Sequence, residues 1–300
     1  MLFCSSRPLG RAENITALWE SWNHEKRFQI LGKQTPKAAR LIVTDEFITS
    51  NALTVMVTHG IAGGKTYGLD QPRPYYRREA APDYVIAPSE FMRELMAKQC
   101  GIDIERVIPL GMPRTDAYFT DDLNAVEFNG RIVRTYLYAP TFRNGIERPY
   151  PDIDFGLIDH LLTDDELLLI KRHTIGGISK TKGCRHIIDV PAYLPSTPYL
   201  LACDVLITDY SSILFDAHVA NKPVVLFTKP GDGYLKNRGM YFPYPDFYSS
   251  RHATNERGLV EICRSAYEPQ AVDIACREKA AGMCDGQSTK RVIEFLEGLT

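Results

Sequence analysis

The chain has 300 residues, 44% of them hydrophobic and 24% charged, with a formal charge of −2. These proportions fit a soluble globular protein of one large domain or two of moderate size, and they supply no basic field that would support nucleic-acid binding. No apolar run reaches the length of a membrane span, the apolar part of "MLFCSSRPLG" is too short for a signal peptide, and seven scattered cysteines without CxxC spacing read as reduced thiols, so a cytoplasmic location is expected.

Short apolar runs alternate with amphipathic stretches, the pattern of βα units. In chain order, strands are predicted at "MLFCS", "FQIL", "RLIVTD", "LTVMVTH", "DYVIAPS" and "RVIPLG". A helix over "SEFMRELMAKQCG" opens on a Ser cap and closes on Gly101. Beyond the polar stretch "FTDDLNAVEFNGR", strands are predicted at "RTYLYAPT", "ELLLIKRH", "HIIDV", "DVLITDY" and "PVVLFT". Helices are expected over "IDHLLTDD", "TPYLLACD", "SSILFDAHVANK" and the amphipathic "STKRVIEFLEG". Near-continuous Val/Ile/Leu runs suit parallel strands covered on both faces. The expected architecture is α/β: two doubly wound Rossmann-like domains, 1–128 and 129–284, facing each other across a cleft, with a C-terminal helix in 285–300.

Ligands of such sheets bind beyond the carboxyl ends of the strands, so the residues placed there are the candidates. In "DVLITDYSSILFD" a strand reaches Asp209, Tyr210 turns, and Ser211 and Ser212 open a helix. A helix start offers unpaired N–H groups, which small hydroxyl residues leave open to a phosphate; a plain Ser cap is the alternative. Asp216 lies one turn on, placed to meet a ribose hydroxyl or to face solvent. In "TVMVTHGIAGGKTYG", His59 and Gly60 follow a strand and Lys65 follows shortly after. "GIAGGKT" fails the phosphate-loop spacing, since His59 stands where glycine is needed and Pro72 and Pro74 preclude the required helix. His173 ends the strand "ELLLIKRH". Together with His59 it gives one strand-end histidine per domain, and both are candidates for chemistry. Thr141 and Arg143 leave the strand "RTYLYAPTFR", Arg114 follows "VIPLGMP", and "GDGYLKNRGMYF" carries Tyr234, Lys236, Arg238 and Gly239. Guanidinium forks suit phosphate recognition. His24, His160, His186, His218 and His252 lack such a setting and read as structural. Cys184 with His186 lacks further metal ligands, and Asp152 with Asp154 in "PDIDFG" has no supporting His or third acid, so no metal site is expected.

The ordered set of His59-Gly60 with Lys65, "LGMPRTD", "YAPTFR", His173, "DVLITDYSSILFD", "RGMYF" and "DGQSTKRV" resembles the CDP-glycerol glycerophosphotransferase family, enzymes of teichoic-acid-type polyol phosphate synthesis. "TDYSS" followed by Phe215, Asp216 and Pro223 is its most specific piece. The resemblance implies a GT-B-like architecture whose second domain holds a CDP-glycerol or related CDP-alcohol donor. It implies His59 as catalytic base, with His173, Ser211, Ser212, Arg238 and Gly239 at the donor site; Gly60, Lys65, Arg114, Thr141, Arg143, Asp209 and Asp216 are the further substrate-binding candidates. It implies no cofactor and no metal, and an acceptor that is a polymer or lipid-linked saccharide at the inner membrane face. Tyr75, Tyr76, Arg77 and Arg78 form an aromatic and basic patch compatible with lipid headgroups, and equally with a solvated loop. The first loop reads Thr58-His59-Gly60-Ile61-Ala62 where the family usually has Trp-His-Gly-Thr-Pro, so the donor alcohol, glycerol or ribitol, stays open. An NDP-sugar glycosyltransferase and a non-catalytic nucleotide- or glycan-binding module share the expected fold and stand as the alternatives.

Overall fold

The computed structural model describes residues 1–5, 7–9, 11–31, 39–48, 50–58, 81–119, 127–141, 153–172, 181–231, 233–237 and 239–300. The chain forms two compact units: 1–119 with 278–300, and 120–277. The sequence places the division at 128/129 and sets residues 285–300 apart as a closing helix. By contrast, the compact units divide after Phe119 and again after Arg277, and the first unit takes in the end of the chain.

The first unit carries β1 (Leu2–Ser5), α1 (Glu13–Ser21), β2 (Arg27–Ile30), β3 (Leu41–Thr44), β4 (Leu53–Val57), β5 (Tyr84–Ala87), α2 (Arg93–Cys100) and β6 (Val107–Pro109), then a 3-10 segment, Pro113–Tyr118. Its sheet is all parallel in the order β2-β1-β3-β4-β5-β6. The central strands β1 and β3 are buried at every position, while β2, on the edge, is largely exposed. That is the difference between a strand covered on both faces and one at a rim. The helix after β5 ends as its sequence predicts, with Gly101 in the left-handed region at φ 66°. Helix α1 was not among the predicted elements; it lacks a side-chain cap, and its buried Asn14, Ile15 and Leu18 supply the packing.

The second unit carries a small hairpin, β7 (Glu127–Phe128) and β8 (Arg131–Ile132), then β9 (Arg134–Tyr138), α3 (Phe155–Leu161), β10 (Glu166–Lys171), β11 (Ile187–Val190), α4 (Thr197–Ala202), β12 (Val205–Thr208), α5 (Ile213–Val219), β13 (Val224–Phe227), α6 (Tyr234–Asn237), β14 (His252–Ala253) and α7 (Glu256–Ser265). Helix α8 (Ala271–Ala281) crosses the division at residue 277, and α9 (Ser288–Gly298) belongs to the first unit. The second sheet is also all parallel, ordered β11-β10-β9-β12-β13-β14. Tyr136, Tyr138, Ile170, Ile207, Val225 and Phe227 from its strands pack with Phe155, Ile158, Leu259 and Cys263 from α3 and α7. Neither α7 nor α8 was predicted; the cap of α7 is Asn255, whose Oδ1 accepts the Gly258 N–H at 2.9 Å.

At the amino edge of this second sheet, Glu166 is buried and fully engaged. Tyr136 Oη donates to it at 2.7 Å, and Arg264 donates through Nε at 2.9 Å and through a terminal nitrogen at 2.6 Å. Burial works to raise the Glu166 carboxyl, but these hydrogen bonds and the Thr163 N–H outweigh it and hold its pKa at about 2. Such an engaged carboxylate at the amino edge serves the frame.

The C-terminal segment docks on the carboxyl ends of β5 and β6. Met283 N–H donates to Pro88 O, Arg291 Nε to Leu110 O, and the Asp116 carboxylate accepts the N–H groups of Ser288 and Thr289 at 3.0 and 2.7 Å. Gly111, at φ 86°, lets the chains approach: a Cβ there would lie 2.3 Å from Met283 O.

Candidate functional site

In an open doubly wound sheet the ligand crevice lies where the chain reverses its direction of winding. The second sheet reverses between β9 and β12: the chain winds outward through β10 and β11, then returns to build β12, β13 and β14 on the other side. The motif singled out in the sequence, "DVLITDYSS", is the strand on one side of this point and its exit.

Two carboxylates bracket β12 and pin it to β9 at both ends. Asp204 Oδ2 accepts the Thr135 N–H at 2.7 Å, at the start of β9. Asp209 Oδ1 accepts the N–H groups of Thr141 and Tyr210, each at 2.7 Å, at the other end. Asp209 is fully buried. Its carboxylate therefore fixes the main chain on both sides of the reversal. Asp204 was missed in the sequence, though the five-residue spacing of the two acids around an apolar strand was its signal.

Thr141 is buried, and its Oγ1 has no hydrogen-bond partner among the described residues. A buried hydroxyl of this kind carries unused hydrogen-bonding capacity beside the reversal point. The helix after the turn begins at Ile213, two residues later than the sequence suggests, with half-buried Ser212 as its N-cap residue. The Ser212 hydroxyl makes no capping bond, so the plain Ser cap considered in the sequence is not what this serine provides. Ser211 is also half-buried. Asp216 is 1% exposed, which removes the solvent-facing alternative.

An aromatic stack draws a second predicted segment to the same place. Tyr210 and Tyr234 lie parallel with ring centroids 4.3 Å apart, both buried, and Tyr244 packs on Tyr210 at 4.9 Å. The stack seats α6 beside the turn that carries Ser211. Gly239, at φ 69°, closes α6 by donating its N–H to Leu235 O. Sequence reasoning grouped Ser211 with Gly239 by motif alone; Tyr210 and Tyr234 are the physical link.

At the end of β10, Lys171 is buried and donates to the carbonyls of Arg172 and Ala192 at 3.3 and 3.2 Å, while the Arg172 guanidinium pairs with Asp189. The Lys-Arg pair of "IKRH" thus holds the strand exit. His173, the next residue, lies outside the described residues, as do His59, Gly60, Lys65, Arg143 and Arg238, together with Asp152 and the patch of Tyr75, Tyr76, Arg77 and Arg78.

In the first unit the sheet reverses between β1 and β3. Ser5 Oγ, at the end of β1, donates to Asp45 Oδ2 at 2.9 Å, and both residues are buried. Arg114 does not stand open as a phosphate fork: its side chain is 11% exposed and pairs with Glu13 at 3.3 Å. Three of the histidines read as structural are engaged in hydrogen bonds within the fold. His186 contacts Asp159 and Asp164, His218 bonds the Tyr248 carbonyl, and His252 bonds Thr228. Asp154 caps α3 by accepting the Leu157 N–H at 2.9 Å. Among the described residues no group of three or more His, Cys, Asp or Glu side chains is arranged to hold a metal ion, and no helix is long and apolar enough to cross a membrane.

With this geometry in hand, the chain can be compared with known proteins. It is 29% identical over 287 residues to teichoic acid poly(ribitol-phosphate) polymerase of Bacillus spizizenii, covering 85% of this chain and 46% of that protein. It is 25% identical over 287 residues to teichoic acid glycerol-phosphate primase of Bacillus subtilis, covering 87% and 74%. The chain spans about half the length of several of the curated relatives it matches. Among solved structures, wall teichoic acid polymerase TagF superposes with a TM-score of 0.78 at 19% identity, over 99% of this chain and 88% of that one. UDP-GlcNAc 2-epimerase from Neisseria meningitidis bound to UDP-GlcNAc superposes with a TM-score of 0.56 at 14% identity, over 99% of both. These likenesses identify the fold as the two-domain, GT-B-like α/β architecture expected from the sequence. A family model described as CDP-glycerol:poly(glycerophosphate) glycerophosphotransferase matches residues 30–298, nearly the whole chain, and the chain belongs to that family.

Proposed function

We propose that this protein transfers a polyol phosphate, glycerol phosphate in the first instance, from a CDP-alcohol to a hydroxyl of a polymer or lipid-linked saccharide, releasing CMP. The observation that carries the reading is the reversal point of the second sheet. Asp209 fixes the two strand exits there, and three hydroxyls, those of Thr141, Ser211 and Ser212, belong to those exits, in a chain of this family.

The chemistry has one bond made and one broken. The acceptor oxygen attacks the phosphorus bearing the alcohol, the bond from that phosphorus to the oxygen of CMP breaks, and the proton of the acceptor hydroxyl passes to His59. Catalysis of phosphoryl transfer rests on positioning and charge stabilisation. In this proposal residues 120–277 form the donor side and the first unit the acceptor side. The hydroxyls of Thr141, Ser211 and Ser212, with Arg143, Arg238 and His173, hold the diphosphate; Gly60, Lys65 and Gly239 line the donor. Asp209, which holds the main chain of both exits, and Asp216 in α5 complete the donor side. The relatives' names include both glycerol-phosphate and ribitol-phosphate enzymes, which supports a polyol donor and leaves the choice to experiment.

The test is incubation with CDP-glycerol, CDP-ribitol and a set of NDP-sugars, with and without a chelator, scored for the nucleotide released. CMP from a CDP-alcohol is the expected product. NDP from an NDP-sugar would make the protein a glycosyltransferase instead, and binding without turnover would make it a binding module. His59→Ala is expected to lower kcat by about 10²–10⁴-fold, the range for loss of a general base. Leucine at both Ser211 and Ser212 is expected to abolish CDP-alcohol binding by calorimetry.

A further inference from the structure

Tyr210 joins Asp209, the clamp of the reversal point, to Ser211, and it is held both at its main chain and at its ring. Its N–H donates to Asp209 Oδ1 at 2.7 Å. Its ring, 2% exposed, lies parallel to that of Tyr234 in α6, with centroids 4.3 Å apart and an angle of 6° between the planes. Tyr244 tilts against the same ring at 4.9 Å and rests in turn on fully buried Tyr248, 5.9 Å away. On the far side of the turn, the Ser211 carbonyl accepts the Leu214 N–H of α5 at 3.3 Å. Phe215 of the same helix packs on Tyr248 at 6.0 Å. The main chain that carries Ser211 is therefore held at both ends, and one group of aromatic rings reaches both.

We propose that Tyr234 is a positioning residue for the donor site: through its stack on Tyr210 it holds the turn that carries Ser211, without itself touching the donor. The proposal rests on the reading of Ser211 as a contact to the diphosphate. A hydrogen bond to one N–H fixes a point about which the residue can still turn; a parallel stack fixes a plane as well. Tyr234 is 4% exposed, so its ring has almost no surface to offer a ligand. A stacked aromatic pair is worth up to about tenfold in an equilibrium constant beyond the area it buries, which sets the scale of the effect on donor affinity.

Two substitutions separate the ring from the rest of the side chain. Tyr234→Phe keeps the stack; Tyr234→Leu keeps an apolar side chain in the buried site and removes the stack. Calorimetry with CDP-glycerol, or with CDP-ribitol where that is the donor turned over, is expected to show binding weakened about tenfold in Tyr234→Leu and close to wild type in Tyr234→Phe. In turnover the loss should fall on the KM for the CDP-alcohol with kcat unchanged, because a grip on the diphosphate made before and during transfer is uniform binding. In a Ser211→Ala background, Tyr234→Leu is expected to weaken binding less than it does alone, since the hydroxyl it positions is gone. Should Tyr234→Leu fail to fold, by circular dichroism and thermal melting, Tyr234→Met carries the same measurements, with a flexible side chain that fills the space without a ring plane.

Wild-type protein that releases CMP, together with a folded Tyr234→Leu or Tyr234→Met variant of undiminished donor affinity, would overturn this proposal and leave the proposed function standing. An equal or greater loss in the Ser211→Ala background would do the same, by making Tyr234 a residue of the fold alone. A Tyr234→Phe variant as weak as Tyr234→Leu would move the effect from the ring to the hydroxyl and overturn the role of the stack. A loss expressed in kcat alone would overturn it equally. Unchanged donor affinity in Ser211→Ala would remove the contact and its positioning residue together. Wild-type protein that releases no CMP from any CDP-alcohol would overturn the phosphotransferase reading, and this proposal with it.

Discussion

In the first unit the sheet reverses between β1 and β3, where the Ser5 hydroxyl meets the Asp45 carboxylate; in the second it reverses between β9 and β12, where Asp209 accepts two main-chain N–H groups. Both places use a buried acid at the end of a central strand, and they use it differently. The Ser5 hydroxyl links one side chain to another and accepts a single main-chain N–H, that of Arg7 at 3.0 Å. A carboxylate holding two main-chain N–H groups fixes the exits themselves, and Asp204 repeats the device at the far end of the same strand pair. The lesson is that the fold itself fixes the second unit's strand exits. That suits the proposed site, which would grip a diphosphate at several points. In the first unit the exit of β4 is held from α1, where Asn14 donates to the Thr58 carbonyl.

The comparison can be broken at its strongest joint first. Asp209→Ala leaves the N–H groups of Thr141 and Tyr210 without this acceptor in a buried setting, at roughly 1–3 kcal/mol each. Urea unfolding should show that loss, and calorimetry should show weakened CDP-alcohol binding; a stable variant with normal binding would mean that the exits are held by other contacts. Asp204→Ala, which orphans one such N–H at the amino edge, should cost stability while leaving binding intact, and so separates frame from site.

Glu166 sharpens the contrast between the two edges of the second sheet through pH. Its folded-state pKa, about 2, is depressed below the ordinary value of 4.5. The stability it contributes is therefore complete above pH 4.5 and is lost as pH falls from there toward 2. The difference in unfolding free energy between wild type and Glu166→Gln should shrink over that window and be constant above it, measured by urea titration at a series of pH values. The smallest effect is expected in the first unit. Ser5→Ala removes the bond to Asp45 and the acceptor of the Arg7 N–H, about 1 kcal/mol each, and should leave CDP-alcohol affinity unchanged. A larger cost there than for Asp209→Ala would reverse the ranking of the two reversal points.

Much of this organisation was legible in the chain. The strands over "LIVT", "VLIT" and "VVLF" are continuous β-branched and aliphatic runs, and they emerge as buried parallel strands because only such residues tolerate cover on both faces. The order of the motifs also identified the family. Helices α1, α7 and α8 were not read from the chain: none is closed by a glycine in the left-handed region as α2 is by Gly101, and the Asn255 start signal of α7 was overlooked. The candidate residues divide by what surrounds them. Arg114 looked like a phosphate fork because an arginine after a strand has no local feature that reveals an ion pair to Glu13, about a hundred positions earlier. Asp216 looked half-solvated because helical spacing gives a face and not what covers it.

By itself the sequence determined the alternation of buried strands and amphipathic helices, the family, and the stretches that end at strand exits, since all three are properties of local composition and order. Only the tertiary structure decided which strands became neighbours. It alone put residues 278–300 with the first unit, turned Arg114 inward, and made Asp209 a clamp on the main chain of Thr141. The physical reason is range. Each of these outcomes is a hydrogen bond, an ion pair or a packing contact between residues tens to hundreds of positions apart, and its energy exists only once the sheet has brought the partners together.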